Sequence, residues 1–250
     1  MNSLEERYLI KVQREHVVWK KKISKNPSII NKVTKGIQHK INDIIPDKVH
    51  QIITSTIKEI TKAVLFGAGF TTGKPKAYNS FFELETQIEK RITFYSSSSA
   101  AEGAITGYGG FISSLADFPL WLTLKMKMLF EIGRTYGYDL SDYKERLFLL
   151  YIFQLTFSSQ QHRNQIFEII SNWELKKDNL PSSHKDFDWR TFQLEYRDFI
   201  DLAKLIQLIP GFGAVAGAYV NHYYTKKLGK NAMNAFRLRL KAFKNQNLIG

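Results

Sequence analysis

The sequence predicts an all-α protein: a single multi-helix globular domain whose apolar helices are hinged at glycines. Two observations indicate this fold. Nearly every apolar stripe repeats at three- or four-residue steps, and glycine and proline clusters separate one stripe from the next. At 250 residues, of which 44% are hydrophobic, the chain is long enough to bury a sizeable core without disulfides or a structural metal. We find no internal repeat and no domain boundary, so we predict one domain over residues 1–250.

Three basic helices are predicted within residues 1–66. The first has one apolar face and a lysine-rich end. The second begins at Asn26 and Pro27, because an Asn cap followed by proline at the first helical position is a common helix start. The third follows Pro46. Isoleucine-rich stripes in both later helices lower the local helix propensity, but their spacing does not match the alternation of a strand.

The central segment, residues 76–175, holds the most unusual local sequence. A helix is predicted from Phe81, loosened at residues 96–99 by four serines and followed by a glycine-rich turn. An apolar helix carrying Asp117 and Pro119 comes next. Further helices follow, the first of them capped by Ser141. Propensity alone would not select an aspartate and a proline in this apolar run, so fold or function requires them.

A polar loop is predicted over residues 176–188, followed by C-terminal basic helices over residues 189–245. Within these helices, Leu205–Thr225 is a run of 21 residues without a charge. Its glycines and alanines allow close helix packing, in lipid or in a protein core. Pro210 interrupts the run early, which favours a glycine-hinged buried helix. A surface-inserting hairpin anchored by the lysines that follow remains the alternative.

The net charge of +13 is concentrated at the two ends of the chain. Residues 1–62 carry a balance of +7, residues 63–201 carry −2, and residues 202–250 carry +8 with no acidic residue. This distribution has two interpretations of equal weight. The basic ends bind an anionic partner, such as a phospholipid surface or nucleic acid, or they form a solvated basic face that aids solubility. The residues that we predict to bind anions are Lys226, Lys227, Lys230, Arg237 and Arg239.

Familiar catalytic and cofactor motifs are missing from the sequence. The absence of cysteine excludes disulfides, thiolate nucleophiles and Cys-ligated zinc. The segment from Gly67 to Pro75 resembles a phosphate-binding loop but has Ala68 at a required glycine and Pro75 at the magnesium-binding hydroxyl. His184, Asp186 and Asp188 are interpreted as a helix start rather than a metal site. We therefore predict no cofactor, no metal and no catalytic residue.

The central segment resembles the EcsC family of bacterial proteins. The resemblance is carried by short motifs and by the later Ile209–Ala214 segment. The motif residues, which are also the candidate site residues, are Glu102, Gly103, Gly107, Gly110, Asp117, Pro119, Tyr136, Gly137, Asp139, Glu145 and Arg146. The resemblance implies a helical, largely uncharacterised domain and supplies no agreed catalytic residues. A founding member encoded beside an ABC transporter in some bacteria implies a connection with the membrane.

Together these observations favour a non-enzymatic accessory or binding protein that acts at the inner face of the bacterial membrane or on a membrane transporter. The expected location is the cytoplasm or the inner membrane surface, since the charged N-terminus lacks a secretory signal. One rival function is an enzyme using Glu102 and Asp117 in a polar pocket. The alternative is that these carboxylates have no catalytic role and are buried by the fold, hydrogen-bonded to backbone groups or to a base such as Lys125. Nucleic-acid binding through the basic ends is the third possibility, without a recognisable motif.

Overall fold

A computed structural model describes residues 3–24, 47–67, 70, 77–108, 118–158, 160–183 and 213–244. These residues are helical with short connections, and no strand occurs among them. We number the helices over the described residues alone. They are α1 Ser3–Ile23, α2 Asp47–Phe66, α3 Phe81–Tyr108, α4 Phe118–Thr135, α5 Tyr143–Phe157, α6 Gln160–Ser171, α7 Trp173–Lys176, α8 Gly213–Arg239 and α9 Lys241–Lys244. The all-α prediction is confirmed.

The long helices α3 and α8 form the centre of the fold and run antiparallel along most of their length. Glu85 near the start of α3 bonds to Arg237 near the end of α8. Two turns later in α3, Ile92 packs against the backbone of Gly229. Because α3 and α8 each present one face to the other, both helices are buried on that side, and α1, α4, α5 and α6 pack around the pair.

Helix α3 is longer than the sequence predicts. The four serines at 96–99 do not loosen it, and the helix continues through Gly103 and Gly107 to Tyr108. Serine is unfavourable inside helices because its hydroxyl competes for backbone groups. Here Ser96 donates to the carbonyl of Thr93 at 3.0 Å and Ser98 to that of Phe94 at 3.0 Å. The hydroxyls therefore bond within the helix, and the predicted glycine-rich turn is wrong up to residue 108.

Helix α5 supplies the most deeply buried part of the core. Eight of its apolar side chains are almost completely inaccessible to solvent: Leu147, Phe148, Leu149, Leu150, Ile152, Phe153, Leu155 and Phe157. A helix that is apolar on all sides is stable only when neighbours surround it. Its N-cap is Asp142, whose carboxylate accepts from the backbone N–H of Lys144 at 2.9 Å, so the predicted Ser141 cap is wrong by one residue.

Several other predicted features can be compared with the structure. The break after α2 is present, because Gly67 has a φ of 73° that ends the helix. Pro119 lies in the first turn of α4, where its missing N–H removes no intrahelical bond. The basic C-terminal segment is helical to residue 244, close to the predicted end at 245, but as two helices, α8 to Arg239 and the short α9. The predicted Asn26–Pro27 helix start and residues 184–212, which include Pro210, lie outside the described residues.

The contact between Gly229 and Ile92 predicts a clear effect on stability. A Cβ added at Gly229 would lie 2.5 Å from Cγ1 of Ile92 and within 2.9 Å of Cγ2. These atoms belong to a buried β-branched side chain on the facing helix and cannot simply swing away. We expect Gly229→Ala to lower the free energy of unfolding by about 1–3 kcal/mol in urea denaturation, the usual range for overpacking.

The matched control for this prediction removes the obstacle. Ile92→Ala deletes all three carbon atoms that the new methyl group would meet. The double variant Ile92→Ala/Gly229→Ala should therefore be more stable than the sum of the two single losses predicts. Strict additivity would show that the close approach of α3 and α8 at Gly229 does not limit the substitution.

Candidate functional site

The carboxylate of Glu85 is the centre of a buried polar network between four parts of the fold. Glu85 and Arg237 pair through two bonds of 2.7 Å each, from Nε to Oε1 and from Nη2 to Oε2. Tyr8 on α1 donates to Oε2 at 2.9 Å, and Tyr136 after α4 donates to Oε1 at 2.7 Å. The side chain of Glu85 is fully buried and that of Arg237 is 4% exposed.

The Glu85 carboxylate has no acceptor position left for a bound molecule. A carboxylate has about four acceptor positions, and the Glu85 carboxylate already accepts four hydrogen bonds. Burial tends to lower the pKa of Arg237, but the hydrogen bonds and charge of Glu85 outweigh it and raise that pKa. Burial and then the charge of Glu85 raise the pKa of Tyr136. Arg237 therefore stays protonated, and its two bonds to Glu85 hold α3 and α8 together.

A second buried ion pair joins Glu145 at the start of α5 to Arg239 at the end of α8. The guanidinium donates to both carboxylate oxygens, at 2.6 and 2.7 Å, and its Nε donates to Glu174 at 2.9 Å. Its planar group also lies over the ring of Tyr138, 3.9 Å from the centroid. Bidentate and stacked contacts of this kind are specific to arginine. Both carboxylate oxygens of the predicted site residue Glu145 are therefore engaged by Arg239.

The motif residues around the α4–α5 connection build a tight turn. Gly137 has a φ of 89°, in the left-handed region that favours glycine. Asp139 accepts from the backbone and hydroxyl of Ser141 at 2.9 and 2.7 Å, and these bonds lower its pKa. Arg146 donates to the carbonyls of Leu65, Leu140 and Ser141. These bonds fasten the turn to the last turn of α2.

The remaining motif residues give less information on a site. Glu102, Gly103 and Gly107 lie in α3, but the structure does not describe the side chain of Glu102. Gly110 and Asp117 lie outside the described residues. The rival active site built from Glu102 and Asp117 thus remains a prediction.

Three of the five predicted anion-binding side chains are already paired with glutamates. Arg237 and Arg239 are buried in the two ion pairs described above, so the anions that their guanidinium groups bind in this structure are carboxylates of the protein itself. Lys230 forms an ion pair with Glu89 on α3. Lys226 is exposed and Lys227 is half-buried, and no described carboxylate lies within ion-pair distance of either. Sequence position alone could not separate internal from external bases.

The first half of α8 has an exposed apolar face. Val215, Tyr219 and Tyr223 are 75%, 69% and 46% exposed, and their four-residue spacing places them along one side of the helix. The rings of Tyr219 and Tyr223 stack, with centroids 6.2 Å apart. Lys226 continues the same side. We call these four residues the α8 face. Val220, Asn221 and Thr225 point inward and are buried.

This arrangement partly answers the question posed by the uncharged run Leu205–Thr225. Its described part, from residue 213 onward, is one amphipathic helix with a face in the core and a face at the surface. None of the helices that the structure describes combines the length and the apolar character of a membrane span. Those residues also contain no group of three or more His, Asp or Glu side chains placed to hold a metal ion.

We did not predict the buried network, although one feature of the sequence indicates it. Glu85 lies within the apolar stripe of α3, between Phe81 and Ile88 at four- and three-residue steps. An acid at such a position faces the core and requires a buried partner. The identity of the partner, Arg237, is set by tertiary packing across 152 residues.

The helices and the two buried ion-pair networks define an all-α protein in which Tyr136, Glu145 and Arg146 connect one helix to another. The chain belongs to the EcsC protein family, whose model matches residues 11–240. It is 40% identical to Protein EcsC of Bacillus subtilis (strain 168) over 230 residues, covering 92% of this chain and 94% of that protein. It is 31% identical to Uncharacterized protein YdbA of the same strain over 138 residues, covering 55% of this chain and 51% of that protein. No solved structure matches the chain.

Proposed function

We propose that this EcsC-family protein is a peripheral binding protein that attaches to anionic membrane surfaces through the α8 face. The observation that carries the proposal is the row Val215, Tyr219 and Tyr223, exposed beside Lys226 in a stretch without acidic residues. Soluble proteins seldom leave a contiguous row of large apolar groups exposed without a partner. Charge complementarity selects an anionic partner.

The chemistry of the α8 face suits the boundary between water and lipid. Tyrosine has an apolar ring and a polar hydroxyl, and it is enriched at the headgroup level of membranes. Full burial of an apolar side chain such as valine contributes about 1.5–3 kcal/mol. Each lysine near an anionic surface adds about 1 kcal/mol. Together these contributions support reversible, salt-sensitive attachment.

Sedimentation with phospholipid vesicles tests the proposal. We expect the protein to pellet with phosphatidylglycerol vesicles and not with phosphatidylcholine vesicles at 0.1 M salt. Binding should fall sharply at 1 M salt, where the screening length drops from ~10 Å to ~3 Å. Tyr219→Ser/Tyr223→Ser should weaken binding by about tenfold or more, since 1.4 kcal/mol corresponds to tenfold.

Leu175→Ser is the matched control, because Leu175 is 81% exposed but its neighbour Glu174 contacts Arg239 at the opposite end of α8. That end is about 30 Å from Tyr219 along the helix, at 1.5 Å per residue. Equal effects of the control and of the tyrosine variant would contradict the proposal. Binding to RNA without binding to vesicles would overturn it in favour of nucleic-acid recognition, and absence of vesicle binding at low salt would favour a protein partner.

A further inference from the structure

Three cationic side chains converge where α1, α6 and α8 meet. Trp19 on α1 donates to Asn231 on α8 at 2.8 Å, and its ring packs against Phe167 on α6 with centroids 5.6 Å apart. This contact fixes the three helices relative to one another. It also determines which side chains lie one helical turn away, toward the C-terminal end of α1.

A basic residue lies one helical turn away from each of the three residues in this contact. Lys22 follows Trp19 by three residues, Lys227 precedes Asn231 by four, and Arg163 precedes Phe167 by four. Helix α1 runs antiparallel to α8, because His16 contacts Asn234 while Trp19 contacts Asn231. Moving one turn along α1 and α8 therefore leads to the same place, and the charges of both Arg163 and Lys22 act on Lys227. The three bases come together there.

The electrostatics agree with this geometry. Burial, together with the positive charges of Arg163 and Lys22, lowers the pKa of Lys227 to about 8. The ammonium group lies 5.5 Å from the ring centroid of Tyr224. Arg163 is half-buried and donates from Nη2 to the carbonyl of Ser158 at 2.9 Å. Among the described residues, every charge acting on Lys227 is positive.

We propose that Lys22, Arg163 and Lys227 form a binding site for a phosphate group. A half-buried cation surrounded by like charges is unfavourable until an anion neutralises it. Phosphate matches the set, since arginine donates in a planar fork and lysine contributes compact charge to a tetrahedral oxyanion. Lys227 lies one helical turn after Tyr223 of the α8 face, so we assign the phosphate to a lipid headgroup. This choice of source rests on the proposed function.

Inorganic phosphate tests the site without any membrane. At pH 7 and constant ionic strength, phosphate replacing chloride should raise the melting temperature with a saturating dose dependence and raise the pKa of Lys227 in a side-chain NMR titration. Lys227→Met should weaken phosphate binding by about tenfold or more, as expected for a charged hydrogen bond. Lys226→Met, which removes the neighbouring exposed charge, should leave phosphate binding intact.

Phosphatidic acid vesicles test whether the bound phosphate belongs to a lipid headgroup. They carry a terminal phosphate and are compared with phosphatidylglycerol vesicles at matched surface charge. We expect the parent protein to prefer phosphatidic acid, and Lys227→Met to lose the preference while keeping the binding that depends on Tyr219 and Tyr223. Saturable phosphate binding without this preference would support the site and overturn its assignment to a lipid.

The two proposals fail in different ways. Equal responses to phosphate and chloride, or equal losses in Lys226→Met and Lys227→Met, would overturn the phosphate site whatever the vesicles show. Loss of all vesicle binding with phosphate binding retained would overturn the membrane proposal and leave the phosphate site supported.

Discussion

Glu85→Ala should lower the free energy of unfolding by about 3–5 kcal/mol, the usual cost of removing one partner of a buried ion pair. The substitution leaves the guanidinium of Arg237 buried without its carboxylate. It also leaves the hydroxyls of Tyr8 and Tyr136 without their acceptor. Arg237→Met should cost a similar amount, because the carboxylate then retains two hydrogen bonds but no balancing charge. Urea denaturation measures both losses.

A surface pair on α2 supplies the matched control. Lys62 contacts Glu59 at 2.9 Å, and exposed pairs of this kind contribute about 0–1 kcal/mol. Glu59→Ala should therefore cost far less than Glu85→Ala. The double variant Glu85→Leu/Arg237→Met removes both buried charges and should recover part of either single loss. A cost for Glu85→Ala no greater than that for Glu59→Ala would show that the network does not stabilise the fold.

The sequence could predict the helices because burial imposes a period on each of them. The apolar stripe of α3, from Phe81 to Tyr95, correctly indicated one face in the core. The end of that helix could not be predicted, because the serines at 96–99 have a helix-breaking composition. Only the backbone-bonded rotamers of Ser96 and Ser98 show that they continue the helix.

Which basic residues form buried ion pairs and which do not could not be predicted either. Residues 202–250 carry eight bases and no acid, which indicates an anionic partner without saying where that partner lies. For Arg237 and Arg239 the partners are glutamates inside the protein, on α3 and α5. Lys226 and Lys227 have no such partner among the described residues. The helical period does not separate them either, because Lys226 and Arg237 are eleven residues apart and fall on nearly the same side of the helix.

The same buried region contains a histidine, His16, that we expect to respond to acid. His16 on α1 lies against Asn234, with 3.0 Å between Nδ1 and Oδ1. The amide nitrogen of Asn234 donates to the carbonyl of Lys230 at 2.9 Å, so Oδ1 is the acceptor and Nδ1 of His16 carries the hydrogen. Nε2 is buried and has no hydrogen-bond partner among the described residues. Protonation would place an unsatisfied N–H and a charge there.

This geometry predicts how stability depends on pH. Burial, opposed by the Asn234 bond and assisted by the charges of Arg237 and Lys20, lowers the pKa of His16 from 6.5 to about 4. The unfolded chain therefore binds more protons between these pH values, and the free energy of unfolding falls as the pH decreases from 6.5 to 4. The contribution of His16 to this loss is about 3 kcal/mol, at 1.36 kcal/mol per pKa unit.

Urea denaturation from pH 7 to pH 4 isolates the effect when the parent protein is compared with His16→Gln. The carboxylates titrate in both proteins, so their contributions largely cancel in the difference between the two stability curves. Glutamine cannot be protonated, and that difference should therefore shift by about 3 kcal/mol in favour of the variant as the pH falls. His222→Gln, at a half-buried position on α8 outside the network, shows the change that loss of a histidine elsewhere produces. Parallel curves for the parent and His16→Gln would mean that acid does not act on the fold through His16.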